Sequence, residues 1–150
     1  YLTGKIETEE QMKAFYEIIE FFDNAPDLDL PIEVKKYMDE CLEFYSSEDS
    51  AEKINSIIQE KENAFENINE FVENNKEILD EYHKFKQSEA YKNSAAYQMM
   101  EVLKRFCDTS GYYDVFIPAM RRLSPIYDAY YVQMLKANEE FMKNYPGYCE

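Results

Sequence analysis

AEKINSIIQEKENAFENINEFVENNKEILDEYHKFK, residues 51–86, is the longest periodic segment of the chain. Ile54, Ile57, Ile58, Phe65, Ile68, Phe71, Val72, Ile78, Leu79, Tyr82 and Phe85 recur at three- and four-residue steps. That period places them on one broad face of a helix and is incompatible with the two-residue alternation of a half-buried strand. Unbroken, the segment would run about 50 Å at 1.5 Å per residue. This length points to one long central helix or a helix pair, and it would equally serve a homodimer. The seam falls short of a coiled coil, because Lys61 and Asn75 interrupt it and heptad continuity fails at Asn74-Asn75. Asn side chains compete for their own backbone, so a kink or break is expected there.

Helical signals continue on both sides of this segment. No Gly or Pro lies between Pro31 and Gly111, and the 150-residue chain holds only 3 Gly and 5 Pro. A β-rich fold draws on turns far more often. Toward the N-terminus, Thr8-Glu9-Glu10-Gln11 fits a capping box. Met12, Phe15, Ile18, Ile19 and Phe22 then form an apolar stripe, and Asn24-Ala25-Pro26-Asp27 ends that helix. Pro31 suits the first turn of a second helix whose apolar face is Val34, Tyr37, Met38, Cys41, Leu42 and Tyr45. Residues 46–50 form a polar break, with Ser47 or Ser50 available as a cap.

Toward the C-terminus, Ser94 restarts a helix carrying Ala95, Met99, Val102, Leu103, Phe106 and Cys107. Gly111 fits the left-handed position that closes a helix. A short helix is expected over residues 114–123 with Pro118 early in it. Ser124-Pro125 is a further start signal, and Pro146-Gly147 ends the last helix. The expected fold is therefore all-α: an antiparallel bundle of about five to seven helices forming a single domain over residues 1–150. Hydrophobic residues at 45% and charged residues at 31% place the chain among globular proteins, not disordered ones.

Charge and aromatics divide the chain. Residues 1–81 hold 23 acids and 7 bases, whereas residues 82–150 hold 8 acids and 9 bases with ten of the 14 tyrosines and all the arginines. Acidic helices with solvated outer faces account for the first part, and a basic partner facing it is the functional alternative. The net charge of −15 repels phosphates and argues against direct nucleic-acid binding by these residues. An acidic DNA mimic, with carboxylates standing in for phosphates, is a third reading. No run of about 18 apolar residues exists, so no membrane span is expected. No signal peptide is visible and the cysteine count is odd, which favours the cytoplasm; the start at Tyr1 instead of Met marks a processed product or part of a longer protein.

Chemistry-bearing motifs are few in this sequence. Cys41, Cys107 and Cys149 lack metal spacing and read as three reduced thiols, or as one disulfide and a free thiol if the protein is secreted. Asp80-x-x-His83 resembles half of a di-iron pair, but no second His exists. Gly4, Gly111 and Gly147 are too far apart for a phosphate loop, and no nucleophile elbow occurs. Neither metal nor cofactor is expected, and the chain reads as non-enzymatic. The unusual feature is the tyrosine-rich second part. Tyr112, Tyr113, Met120, Arg121, Tyr127, Tyr130, Tyr131 and Met134 are the candidate binding residues, presenting an amphipathic surface to a protein or peptide partner. Core and boundary packing is the plain alternative for an aromatic stripe. A regulator's effector domain, enclosing an apolar small molecule in an aromatic pocket, is the second functional reading.

Overall fold

The computed structural model describes residues 4–46 and 50–149, and those residues are helical with no strand among them. Nine α-helices occur among the described residues: α1 (Glu9–Asn24), α2 (Ile32–Ser46), α3 (Ser50–Glu66), α4 (Ile68–Asn74), α5 (Lys76–Gln87), α6 (Glu89–Lys92), α7 (Ala95–Thr109), α8 (Ile117–Leu123) and α9 (Pro125–Asn144). A wide π turn (Tyr112–Phe116) precedes α8, and a 3-10 turn (Pro146–Tyr148) follows α9. The count exceeds the expected five to seven because side-chain caps cut the chain more often than Gly and Pro do.

Residues 51–86 show how. The long helix or helix pair expected there is three helices, broken at Asn67 and Asn75. The Asn67 carboxamide oxygen accepts the Glu70 N–H at 3.2 Å, capping α4. The Asn75 amide donates to the Phe71 carbonyl at 2.8 Å and takes an acceptor at the end of that helix. Both act by offering the backbone a local alternative to the helical ladder. Ser88 makes a third break: its hydroxyl donates to the Phe85 carbonyl and accepts the Tyr91 N–H, closing α5 and opening α6 in one step. Of the expected polar break at 46–50, residues 47–49, Ser47 included, lie outside the described residues, as do the side chains of Tyr45 and Ser50.

Two compact units are present, and each draws on both sides of the composition boundary at 81/82: residues 1–29 with 100–132, and residues 30–99 with 133–150. In the first unit, α1 packs on α8. Ala14 and Ala119 are fully buried at the contact, with Ile18 and Met120 beside them. Small residues at the crossing let the two helix axes approach closely. The Gln11 amide donates to the Leu123 carbonyl at 3.1 Å, and Arg122 donates to Glu17.

The expected stripe on α1 is corrected here. Ala14, Ile18 and Phe21 are buried, while Met12, Phe15, Ile19 and Phe22 face solvent. The helix carries two apolar faces, and the one containing alanine fits against α8.

In the second unit Val34, Ala64, Val72, Tyr91 and Ala137 are buried. Asn69 bridges to α9, donating to Glu140 and accepting from the Asn144 amide at 2.9 Å. The Tyr148 hydroxyl donates to Asp80, so the 3-10 turn is pinned to α5. Among the described residues no helix is long and apolar enough to cross a membrane.

Candidate functional site

The tyrosine cluster begins at Gly111. Its φ of 82° closes α7 in the left-handed conformation, which a residue without Cβ adopts at no steric cost. The Gly111 carbonyl then accepts from Val115 at 2.8 Å and Phe116 at 3.4 Å, opening the turn to π width. The result puts Tyr112 and Phe116 on one side, stacked at 5.2 Å with planes 21° apart. Phe21 of α1 meets this pair at 5.1 Å from Phe116 and 6.5 Å from Tyr112, and Phe106 of α7 closes the group at 6.2 Å from Phe21.

Ser124 positions the second half. Its hydroxyl accepts the Tyr127 N–H at 3.2 Å, so α9 starts where the sequence signal places it. Tyr127 and Tyr131 are one turn apart and stack at 6.0 Å and 30°, with Tyr130 at 6.3 Å from Tyr127. Arg121 lies over the Tyr131 ring at 5.1 Å and donates from Nε to Asp128 at 2.5 Å. Both partners of that ion pair are more than a third exposed, so it contributes roughly 0.2–1 kcal/mol. Its larger effect is geometric, since a bonded guanidinium holds one position over the ring.

Electrostatics follow from this crowding. Burial lifts the Tyr112 hydroxyl above its ordinary pKa, with Cys107, Tyr113 and Tyr131 adding to the effect. Burial also raises Tyr127; its tyrosine neighbours reinforce the shift and Arg121 opposes it. Tyr113 is raised by desolvation first and then by Cys107, although its side chain is 56% exposed. These phenols stay protonated and act as hydrogen-bond donors and acceptors at neutral pH.

Six of the eight candidate residues come together: Tyr112, Tyr113, Arg121, Tyr127, Tyr130 and Tyr131 share one cluster of the first unit. Met120 lies next to them in sequence but is buried beneath α1, so it supports the cluster from below and offers no surface. Met134 belongs to the second unit, where it lines a shallow depression with Phe65, Ile68, Leu135, Ala137 and Phe141. Sequence reasoning missed Phe21, Phe116 and Asp128. The first two needed knowledge of which α1 face is buried, and Asp128 lies across a helix boundary from Arg121.

The other chemical candidates have structural partners. Asp80 accepts from Tyr148, and His83 meets the Gln87 amide at 2.9 Å and the edge of Tyr148 at 5.5 Å. Among the described residues no group of three His, Cys, Asp or Glu side chains could hold a metal ion. Cys41, Cys107 and Cys149 are free thiols.

The first unit also carries a cavity of about 520 Å³ lined by Phe15, Ile18, Leu123, Pro125 and Ile126, with Lys5 and Glu7 at its edge. No family model matches the chain, and no curated protein or solved structure shows significant similarity to it.

Proposed function

We propose that this chain is a non-enzymatic helical binding module that recognises a protein or peptide partner through the tyrosine cluster of its first unit. One observation carries the reading: Arg121, bonded to Asp128, lies over Tyr131, which stacks on Tyr127, with Tyr130 against Tyr127 and Tyr113 held edge-on to Tyr112. Preordered Tyr and Arg side chains lose little rotamer freedom on binding, and these residue types dominate binding hot spots. Short connections between successive helices support antiparallel packing within each unit, which gives the cluster a rigid base.

The test is capture of partners from the source cell by the wild-type chain, Tyr113→Ala and Tyr130→Ala, with helicity followed by circular dichroism. The expected outcome is a partner lost from both variants at unchanged helicity. A full set of partners retained by both would refute the assignment.

A second reading, a sensor of apolar small molecules, is supported by the cavity beside Phe15. Native mass spectrometry decides it: a retained small molecule lost on Ile18→Phe would favour the sensor over the partner-binding module.

A further inference from the structure

α1 has two apolar faces, and the packing buries one and leaves the other largely open. Its solvent face presents Met12, Phe15, Tyr16, Ile19 and Phe22, between 37% and 62% exposed. Met12, Phe15, Ile19 and Phe22 follow the 3-4-3 spacing of a helix-packing seam, with Tyr16 alongside. Phe15 also lines the 520 Å³ cavity, so the stripe borders a recess lined as well by Ile18, Leu123 and Ile126. A ridge of side chains beside a recess accepts a second helix.

The flanks indicate which helix. Around the α1 axis, Glu9, Glu20 and Asp23 border the stripe on its open side, and Lys13 is the lone base there. Residues 5–29 together carry eight acids and two bases. Against a second copy of this chain packed antiparallel, those acids would face each other across the two-fold axis. An anionic membrane surface would be repelled in the same way. Covering the stripe would remove about 500 Å² from this side, short of the roughly 800 Å² per partner of a standard stable interface. That size fits a transient peptide contact in the micromolar class better than a permanent subunit.

We propose that the solvent face of α1 is a docking site for a basic amphipathic helix. The helix lays apolar residues of i, i+3, i+7 spacing along Met12, Phe15, Ile19 and Phe22, and its flanking Lys or Arg side chains meet Glu9, Glu20 and Asp23. This site does not require the tyrosine cluster.

The experiment uses the full chain and a fluorescently labelled model helix about 14 residues long, four turns, with Leu at i, i+3, i+7 and i+10 and Lys on the flanks. Controls are the same peptide scrambled and the same peptide with Glu for Lys. Anisotropy should show the ordered Lys peptide binding at least ~10-fold tighter than either control, and weakening as salt rises. Ile19→Glu should lose at least ~10-fold. That change adds a negative charge, so a loss reports the apolar seat and not the field. A Glu9→Gln, Glu20→Gln, Asp23→Asn variant should weaken the Lys peptide severalfold. Equal affinity for the scrambled peptide, or undiminished binding by Ile19→Glu, overturns the proposal. A dimer in sedimentation that Ile19→Glu dissolves would overturn it in favour of a second copy. Failure of the peptide with partner capture still sensitive to Tyr113→Ala would remove this site alone and leave the tyrosine-cluster reading standing.

Discussion

Adjacent phenylalanines on α1 give the sharpest check on how this chain packs. Phe21 is 7% exposed and Phe22 62% exposed. Phe21 meets four rings, those of Phe22, Phe106, Tyr112 and Phe116, and truncating such a residue to Ala costs about 3–5 kcal/mol. Among the described residues, Phe22 has one ring neighbour besides Phe21, Phe116 at 5.4 Å. With about 200 Å² of side-chain area, of which roughly 75 Å² is covered, its removal costs at most about 2 kcal/mol at 25 cal/mol per Å². Phe21→Ala should therefore be the less stable variant by about 2 kcal/mol, or about 4–8 °C for a chain of this length. Urea unfolding followed by tyrosine fluorescence reads the difference as a shift in midpoint. The periodicity of the sequence makes the opposite forecast, because it puts Phe22 in the stripe. An equal or larger loss from Phe22→Ala would refute the packing of α1 on α8 described above.

Three further outcomes are expected. Thr8→Ala should cost about 1 kcal/mol through loss of the cap, and Gln11→Ala more, because the Gln11 side chain also reaches the Leu123 carbonyl; thermal unfolding of the two variants checks the order. Gly111→Ala should cost about 1–2 kcal/mol from its φ of 82° alone, since an added Cβ would meet only Val115 at an ordinary 3.6 Å; a chain as stable as wild type would show that the turn relaxes. Alkaline pH should destabilise the protein through Tyr112 and Tyr127. Their folded-state pKa values are raised, so the folded chain keeps protons that the unfolded chain releases; stability is intact below pH of about 10 and falls as pH rises through the folded values. Urea midpoints across that range should fall less steeply for Tyr112→Phe with Tyr127→Phe, and an unchanged slope would remove these groups as the cause.

The capping box at Thr8 and Gln11, the cap at Ser94, the left-handed Gly111 and the Ser124-Pro125 start were all legible from residues at most four apart. Each is a hydrogen bond or a dihedral preference settled within one helical turn, so no distant part of the chain enters. The break at Asn67 was encoded in the same local way, but it stands inside a strong apolar period that masks it, and the break at Ser88 lies just past the end of that period. Six of the eight candidate site residues assemble because two such local signals, Gly111 and Ser124, start the elements that carry them.

Which apolar residues become core was decided elsewhere. α1 offers a Met12–Phe15–Ile19–Phe22 face and an Ala14–Ile18–Phe21 face, and hydrophobicity alone favours the first. Close approach to Ala119 of α8 selects the second, because a buried face needs shape that fits its neighbour as well as apolar area. The same fit buries Met120 and leaves Tyr113 in water three residues from half-buried Phe116. Side-chain composition and caps thus determine that this chain is helical and where most helices begin. Burial depends on which helix arrives opposite, a long-range choice that periodicity along one helix does not contain.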